Sequence, residues 1–246
     1  QTPNPKPQTP QPERITPRTR LIIKMNVFQF CADAIHLASF FIIIHQILKT
    51  KSVQELSYRT QEIYMVVFAA RYMDLLFEYH LLKAYFIIFK ILFLSATAYI
   101  MYLIRFKKPY ALGYDPKLDR LNHYLFIYPL AGVLTVLFHV SNYTQYHWYE
   151  YTWSFSVWLE AFAIVPQLFI VYKKREVEVI TGSYIAALGT YKVFYLLSWV
   201  WKLLHHDPII WVKFAAGIVQ ILIYSEFLYF YFVSAKISSN VMRLPV

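Results

Sequence analysis

Charge is scarce in this chain. Asp, Glu, Lys and Arg make up 15% of its 246 residues, whereas soluble domains average about 25%. Cysteine is nearly absent. The single Cys31 excludes an intrachain disulfide and a Cys-rich metal site. Only five glycines occur, and there is no Gly-rich phosphate loop, Ser-His-Asp order or His-Glu-x-x-His pattern. No motif therefore points to an enzyme or a cofactor. What is abundant is apolar: 58% hydrophobic and 20% aromatic residues, the balance of a polytopic membrane protein, with room for roughly seven spans of ~20 residues. A net charge of +10 would suggest nucleic acid in a soluble protein. Here the basic residues lie mostly between apolar runs, so the positive-inside effect accounts for them and no nucleic-acid partner is implied.

Residues 1–24 carry Pro3, Pro5, Pro7, Pro10, Pro12 and Pro17 with almost no apolar content, which predicts a disordered basic extension. Residues 25–235 read as the membrane domain and 236–246 as a cytoplasmic tail. Seven apolar segments are expected at about 27–48, 61–80, 84–105, 121–140, 148–172, 183–204 and 208–233. The first follows the Pro-rich stretch and reads as a span, not a cleavable signal peptide. Lys49, Lys51 and Arg59 fall between the first and second segments, and Arg105, Lys107, Lys108, Lys117 and Arg120 between the third and fourth. Lys173, Lys174 and Arg175 fall between the fifth and sixth, and Lys236 and Arg243 follow the last. The alternate loops are nearly free of Lys and Arg apart from Lys83. This alternation predicts a cytoplasmic C-terminus and a non-cytoplasmic N-terminus. The basic extension points the other way, a conflict that translation from Met25 would remove. Thr60-Gln61 in the second segment and Pro166-Gln167 in the fifth echo each other. They suggest an all-α fold of two three-helix repeats joined by a linker helix, with a site between the halves.

Ionisable residues nevertheless occur inside these runs: Arg71, Asp74, Glu160, Lys192, Lys202 and Glu226. An unpaired charge in hydrocarbon costs at least about 2.5–3.5 kcal/mol, so these groups are expected to face one another across a polar cavity. Helical spacing sorts them into stripes. Gln29, Asp33 and His36 share one face of the first segment, and Arg71 and Asp74 sit together on the second with Tyr72 beside them. Glu150 and Trp153 are neighbours near one end of the fifth, with Glu160 deeper. Tyr191, Tyr195, Ser198 and Lys202 line the sixth, flanked by Lys192. Such stripes would wall a pocket with both charge signs and aromatic faces.

Plainer readings stand beside that one. Arg71 with Asp74, or Lys192 with Glu160, could be structural ion pairs. Lys202 could snorkel to the interface, and Trp153, Trp199 and Trp201 could belong to an interfacial belt. His36, a lone histidine on an apolar helix, reads by default as a satisfied core residue. Glu226 has no partner legible in the sequence. His205-His206-Asp207 offers metal-ligating types, but adjacent residues point in different directions. Asn142-Tyr143-Thr144 is a glycosylation acceptor on the predicted lumenal side.

The blocks Met25-Asn26-Val27-Phe28, Ala70-Arg71-Tyr72-Met73-Asp74-Leu75 and Trp153 through Glu160 resemble those of the KDEL receptors, the ER lumen protein-retaining receptors. So do Ala163 through Phe169, the run from Leu188 to Trp201, and Ala216 through Gln220 with Tyr224. The similarity runs in order from Met25 to Pro245, with small insertions near 80–85, 110–116 and 141–147. It implies a seven-helix fold similar to SWEET sugar transporters and other PQ-loop proteins. It also implies a receptor that binds the C-terminal Lys/His-Asp-Glu-Leu of escaped ER proteins in the mildly acidic Golgi and releases them in the ER after retrograde vesicle transport. On that resemblance Arg71 and Tyr72 would hold the terminal carboxylate and Lys202 an acidic side chain. Glu150, Trp153 and Asp74 would face the first, basic residue. Gln29, Tyr195 and Ser198 would complete the peptide site. Tyr191, Lys192 and Glu160 match a closure network and His36 a pH sensor, histidine being the side chain whose ordinary pKa lies near 6.5.

The departures matter. Gln29 stands where the family has a ligand-binding Arg, Lys192 and Lys202 replace Arg, and Ser198 replaces Asn. Lysine keeps the charge without the bidentate fork. The tail lacks the usual lysine cluster, with Ser239 and Asn240 in that region, which bears on recruitment of vesicle coat machinery. The expectation is a retrieval receptor of ER and Golgi membranes. The alternative is a PQ-loop transporter moving a sugar or amino acid through the same cavity. A purely structural scaffold would leave the polar stripes unexplained.

Overall fold

The computed structural model describes residues 26–77, 84–140, 147–174, 176–207, 209–234 and 241–243. The Pro-rich extension, the Asn142 acceptor and tail residues 236–240 and 244–246 lie outside the described residues. In chain order the helices are α1 (Val27–Thr50), α2 (Tyr58–Arg71), α3 (Asp74–Phe77), α4 (Ala84–Arg105), α5 (His123–Leu137), α6 (His147–Phe162), α7 (Val165–Lys174), α8 (Val179–Leu204) and α9 (Trp211–Ser234). Four stretches, Val27–Thr50, Phe86–Arg105, His147–Lys174 and Trp211–Val233, are long and apolar enough to cross a membrane, and His123–Leu137 is a shorter apolar helix. The architecture is that of a polytopic membrane protein.

Two of the expected continuous segments are broken. The segment predicted over 61–80 leaves helix geometry at Tyr72–Met73 and resumes as α3. Tyr72 N–H makes the last bond back to Phe68 O (2.9 Å), and the next bonds tighten to Leu75 N–H to Tyr72 O (3.0 Å). The segment predicted over 148–172 breaks between α6 and α7 because Pro166 has no N–H and its ring would collide with the carbonyl of Phe162. Pro166 is tolerated in the first turn of α7, where N–H groups lack partners anyway. β1 (Glu176–Glu178) and β2 (Val241–Arg243) pair antiparallel, with Glu176 opposite Arg243. The Val241–Arg243 stretch of the expected tail thus lies beside the α7–α8 connection.

Helix starts are capped as the sequence dictates. The Asn26 side chain accepts from Gln29 N–H (2.9 Å) and its amide donates to Ser198 O (3.1 Å), tying the start of α1 to α8. Helix α1 packs most extensively against α8, α8 also meets α9, and α2 is flanked by α4 and α6. The core between them holds Phe40, Ile43, Ile63, Phe68, Ile100, Leu159, Ile185 and Tyr224, all buried. Outward-facing apolar residues such as Phe41, Val133, Val136 and Leu222 are exposed, as expected where the surrounding solvent is lipid.

Packing is closest where α8 meets α9. A Cβ on Gly217 would fall 2.4 Å from a ring carbon of Trp199. Only glycine lets the indole lie against the α9 backbone.

At one end of the bundle a polar knot joins the α2 start to α7. Ser57 caps α2 by accepting from Thr60 N–H (3.0 Å) and donates to Asp119 Oδ1 (2.9 Å). Asp119 also accepts from Arg59 N–H (3.1 Å) and Tyr114 OH (2.9 Å). Burial, and then the Asp119 carboxylate beside it, push the Tyr114 phenol above its ordinary range, so it stays a donor. Gln167 completes the knot. Its N–H donates to Thr60 Oγ1 (3.0 Å), its side-chain oxygen accepts from Ser57 N–H (2.9 Å) and its amide donates to Glu55 O (2.7 Å). The two dipeptides read as echoes thus meet in space around Thr60. Gln61 looks the other way and donates to Tyr184 OH (2.9 Å).

Candidate functional site

The opposite end gathers the start of α1, the end of α2, the last turns of α8 and the first turn of α9 around a cavity of about 210 Å³. At its base Glu160 on α6 accepts three donors. Arg71 Nη1 lies 2.5 Å from Oε2, and Lys192 Nζ and Tyr191 OH each donate to Oε1 at 2.9 Å. Arg71, the last residue of α2, also donates to Ser156 Oγ (3.2 Å) and Ser156 O (3.0 Å). Its own carbonyl accepts from Tyr149 OH (2.8 Å). The helix break at Tyr72 leaves that carbonyl without an intrahelical partner, and Tyr149 supplies one. Removing Glu160 from this cluster would leave two neighbouring cations without their shared counter-charge.

Helix α1 supplies the stripe read from its spacing. Gln29, Asp33 and His36 all line the cavity. Tyr195 OH donates to Asp33 Oδ1, and Lys202 Nζ donates to Gln29 Oε1 (3.3 Å). His36 is stacked on Tyr191 with ring centroids 4.0 Å apart and planes 7° from parallel. Phe93 lies 4.7 Å and Phe40 5.4 Å away. Its Nε2 is buried with no hydrogen-bond partner among the described residues. One ring further, Tyr191 connects it to the Glu160 cluster.

Tyr72, Tyr195 and Trp199 form aromatic walls of the cavity. Several other expected site residues sit just behind the lining. Trp153 is buried and carries Lys213 Nζ 4.9 Å from its ring centroid. Glu150 is buried, with His147 Nδ1 3.3 Å from its carboxylate. Ser198 contributes its backbone carbonyl to Asn26, and its buried Oγ has no partner among the described residues. Asp74 departs from expectation. It faces Lys90 at 2.5 Å instead of Arg71, whose partner is Glu160. The break at Tyr72–Met73 ends the helical phase that would have set Arg71 and Asp74 on one face. Lys90 is held by Oδ2, while Oδ1 is buried with no hydrogen-bond partner among the described residues.

Other readings resolve more simply. Trp201 is exposed and stacks on His205 (4.3 Å), which suits an interfacial residue, whereas Trp199 lines the cavity. Tyr172 OH donates to Glu226 (3.3 Å), the partner that the sequence left open. No group of three or more His, Cys, Asp or Glu residues could hold a metal among the described residues.

Two cavity residues went unnoticed in the sequence: Lys90 and Lys213. Each sits near the start of an apolar segment and resembles an interfacial lysine. The available signal was position. A lysine in the first turn of α9 opposes the helix dipole, which calls for a reason. The lining carries four cations (Arg71, Lys90, Lys192, Lys213) against two carboxylates (Asp33, Glu160). Even after Asp74 compensates Lys90, the cavity keeps an excess of positive charge and suits an anionic ligand.

A family profile described as ER lumen protein retaining receptor matches residues 52–202. An ER lumen protein-retaining receptor of Plasmodium falciparum is 38% identical over 223 residues, covering 90% of this chain and 98% of the relative. The receptor of that name from Saccharomyces cerevisiae is 35% identical over 223 residues, and that of Petunia hybrida 33% over 222, each covering 90% of this chain and all of the relative. The chain belongs to the ER lumen protein-retaining receptor family. The family is one of receptors and not of enzymes. Its name favours the receptor reading over the small-solute transporter. The matched region holds the whole Glu160 cluster, from Arg71 on α2 to Lys192 on α8, and ends at Lys202.

Proposed function

We propose that this receptor binds the C-terminal Lys/His-Asp-Glu-Leu-type tetrapeptide of soluble ER proteins within the cavity at the α1, α2, α8 and α9 ends. The excess of buried cation over carboxylate carries this reading. A free C-terminal carboxylate flanked by acidic side chains matches it, and charge-assisted hydrogen bonds to Arg71, Lys202 and their neighbours would hold it. The aromatic walls and the Glu150–Trp153 region would receive the basic first residue.

In this reading the chain crosses the membrane seven times, α2–α3 and α6–α7 each forming one interrupted span, as two three-helix repeats around a linker helix. The basic loops lie in the cytoplasm and the cavity opens to the lumen. The receptor cycles between Golgi and ER membranes. Capture is favoured in the more acidic Golgi because protonation of His36, whose ordinary pKa lies near 6.5, adds positive charge next to the anion site. Glu160, Lys192 and Arg71 are the charged groups acting on that imidazole, and a shift among them would close the site. Contact with vesicle coat machinery falls to the cytoplasmic end, where Lys236 and Arg243 are the only basic residues after 235.

Titration of the purified protein with Lys-Asp-Glu-Leu and His-Asp-Glu-Leu peptides over a pH series tests the reading. Tighter binding near pH 6 than above pH 7 is expected. Absence of binding at every pH rejects the receptor, and equal binding throughout rejects the histidine switch alone.

A further inference from the structure

Around the cavity almost every cation has an acceptor. Arg71 and Lys192 share Glu160, Lys90 holds Asp74, and Lys202 donates to Gln29. Lys213 differs. Its Nζ has neither a carboxylate at ion-pair distance nor a hydrogen-bond acceptor among the described residues. Its one close partner is the face of Trp153, 4.9 Å from the ring centroid. It lines the same cavity as Gln29, which brings no charge. Its backbone N–H bonds to Ile210 O (3.0 Å), fixing it in the first turn of α9.

A cation there is unfavourable twice over. The positive end of the helix dipole repels it, and Arg71 and Lys202 add like charge, offset in part by Glu160 and Asp33, neither of which reaches ion-pair distance. A cation that breaks a local rule and has no ion-pair partner among the described residues points to a counter-charge brought by something else.

We propose that Lys213 is a specificity-determining cation of the peptide site, pairing directly with a carboxylate of the bound tetrapeptide. The inference rests on the receptor reading above. The Trp153 face orients the ammonium from behind, and the peptide anion supplies the counter-charge that the described lining residues do not. Lysine brings a compact point charge, which accepts either an acidic side chain or the terminal carboxylate without demanding fork geometry.

The test uses the full chain in detergent and four peptides: Lys-Asp-Glu-Leu, its Asp→Asn and Glu→Gln forms, and its C-terminal amide. Lys213→Met should weaken the parent peptide by about tenfold or more. The loss should vanish against the one peptide already neutralised at the carboxylate that Lys213 meets, which identifies that carboxylate. Lys213→Gln, which keeps length and polarity, should show the same selective loss, so the result does not depend on one variant folding. Adding Gln29→Arg to either variant should restore affinity by returning a cation to the same cavity. Affinity unchanged by both substitutions overturns the inference, as does an equal loss for all four peptides, which marks a structural role. Failure of the unaltered chain to bind any peptide instead overturns the receptor reading on which it rests.

Discussion

The two ends of the helix bundle bury charge in opposite ways. At the Asp119 end, one carboxylate accepts from Ser57, Arg59 and Tyr114, and Gln167 satisfies both the start of α2 and the start of α7. At Asp119 and Gln167 each side-chain polar atom has its partner within the protein. At the Arg71 end, Glu160 is equally well surrounded, but the cations outnumber it, His36 Nε2 and Ser198 Oγ lack partners among the described residues, and there is open volume beside them. A buried polar network that is complete specifies a fold. One that is complete only with a guest specifies a site.

The largest expected effect comes from breaking the Arg71 end at its base. Arg71→Ala leaves Glu160 with Lys192 as its remaining ion-pair partner among the described residues and should lower stability while abolishing peptide binding. Thermal melting and peptide titration of one preparation measure both. Asp119→Ala makes the contrast. It strands the donors of Ser57, Arg59 and Tyr114, at about 1–3 kcal/mol for each group that water cannot reach. The melting temperature should drop while peptide affinity stays within about twofold. A large loss of affinity there would mean that the two ends are coupled.

Gly217→Ala probes the wall between them. The added methyl meets Trp199, and overpacking of this kind costs about 1–3 kcal/mol, with weaker peptide binding because the indole must move into the cavity. The smallest effect on stability is expected for His36→Phe. Phenylalanine keeps the stack on Tyr191 and suits the surrounding Phe40, Phe68 and Phe93. What should change is the pH profile of binding, which flattens if His36 titration drives it.

Much of this was legible in the sequence, because hydrophobicity over ~20-residue windows reports bilayer crossing directly. The stripe on α1 was legible for the same reason, because regular helices keep their faces, whereas on α8 the cavity takes Lys192, Tyr195 and Trp199 and not the Tyr191, Ser198 and Lys202 edge. Legibility failed where regularity did. The break after Arg71 turned Asp74 towards Lys90, and no spacing rule anticipates the partner chosen across a bundle. The pairing of Arg71 with Glu160 depends on how α2 and α6 are rotated, which one sequence does not encode locally. Asp119 was hidden within a basic loop, and Lys90 and Lys213 among residues that ordinarily snorkel.

The central claim is that the cation-rich end recognises an anionic peptide terminus. Comparing the binding of Lys-Asp-Glu-Leu as the free acid and as the C-terminal amide, on the same purified protein near pH 6, tests it most directly. The free acid should bind, and amidation should weaken it by about a hundredfold, the loss of a buried charge-assisted pair. Equal affinity for the two forms would contradict it.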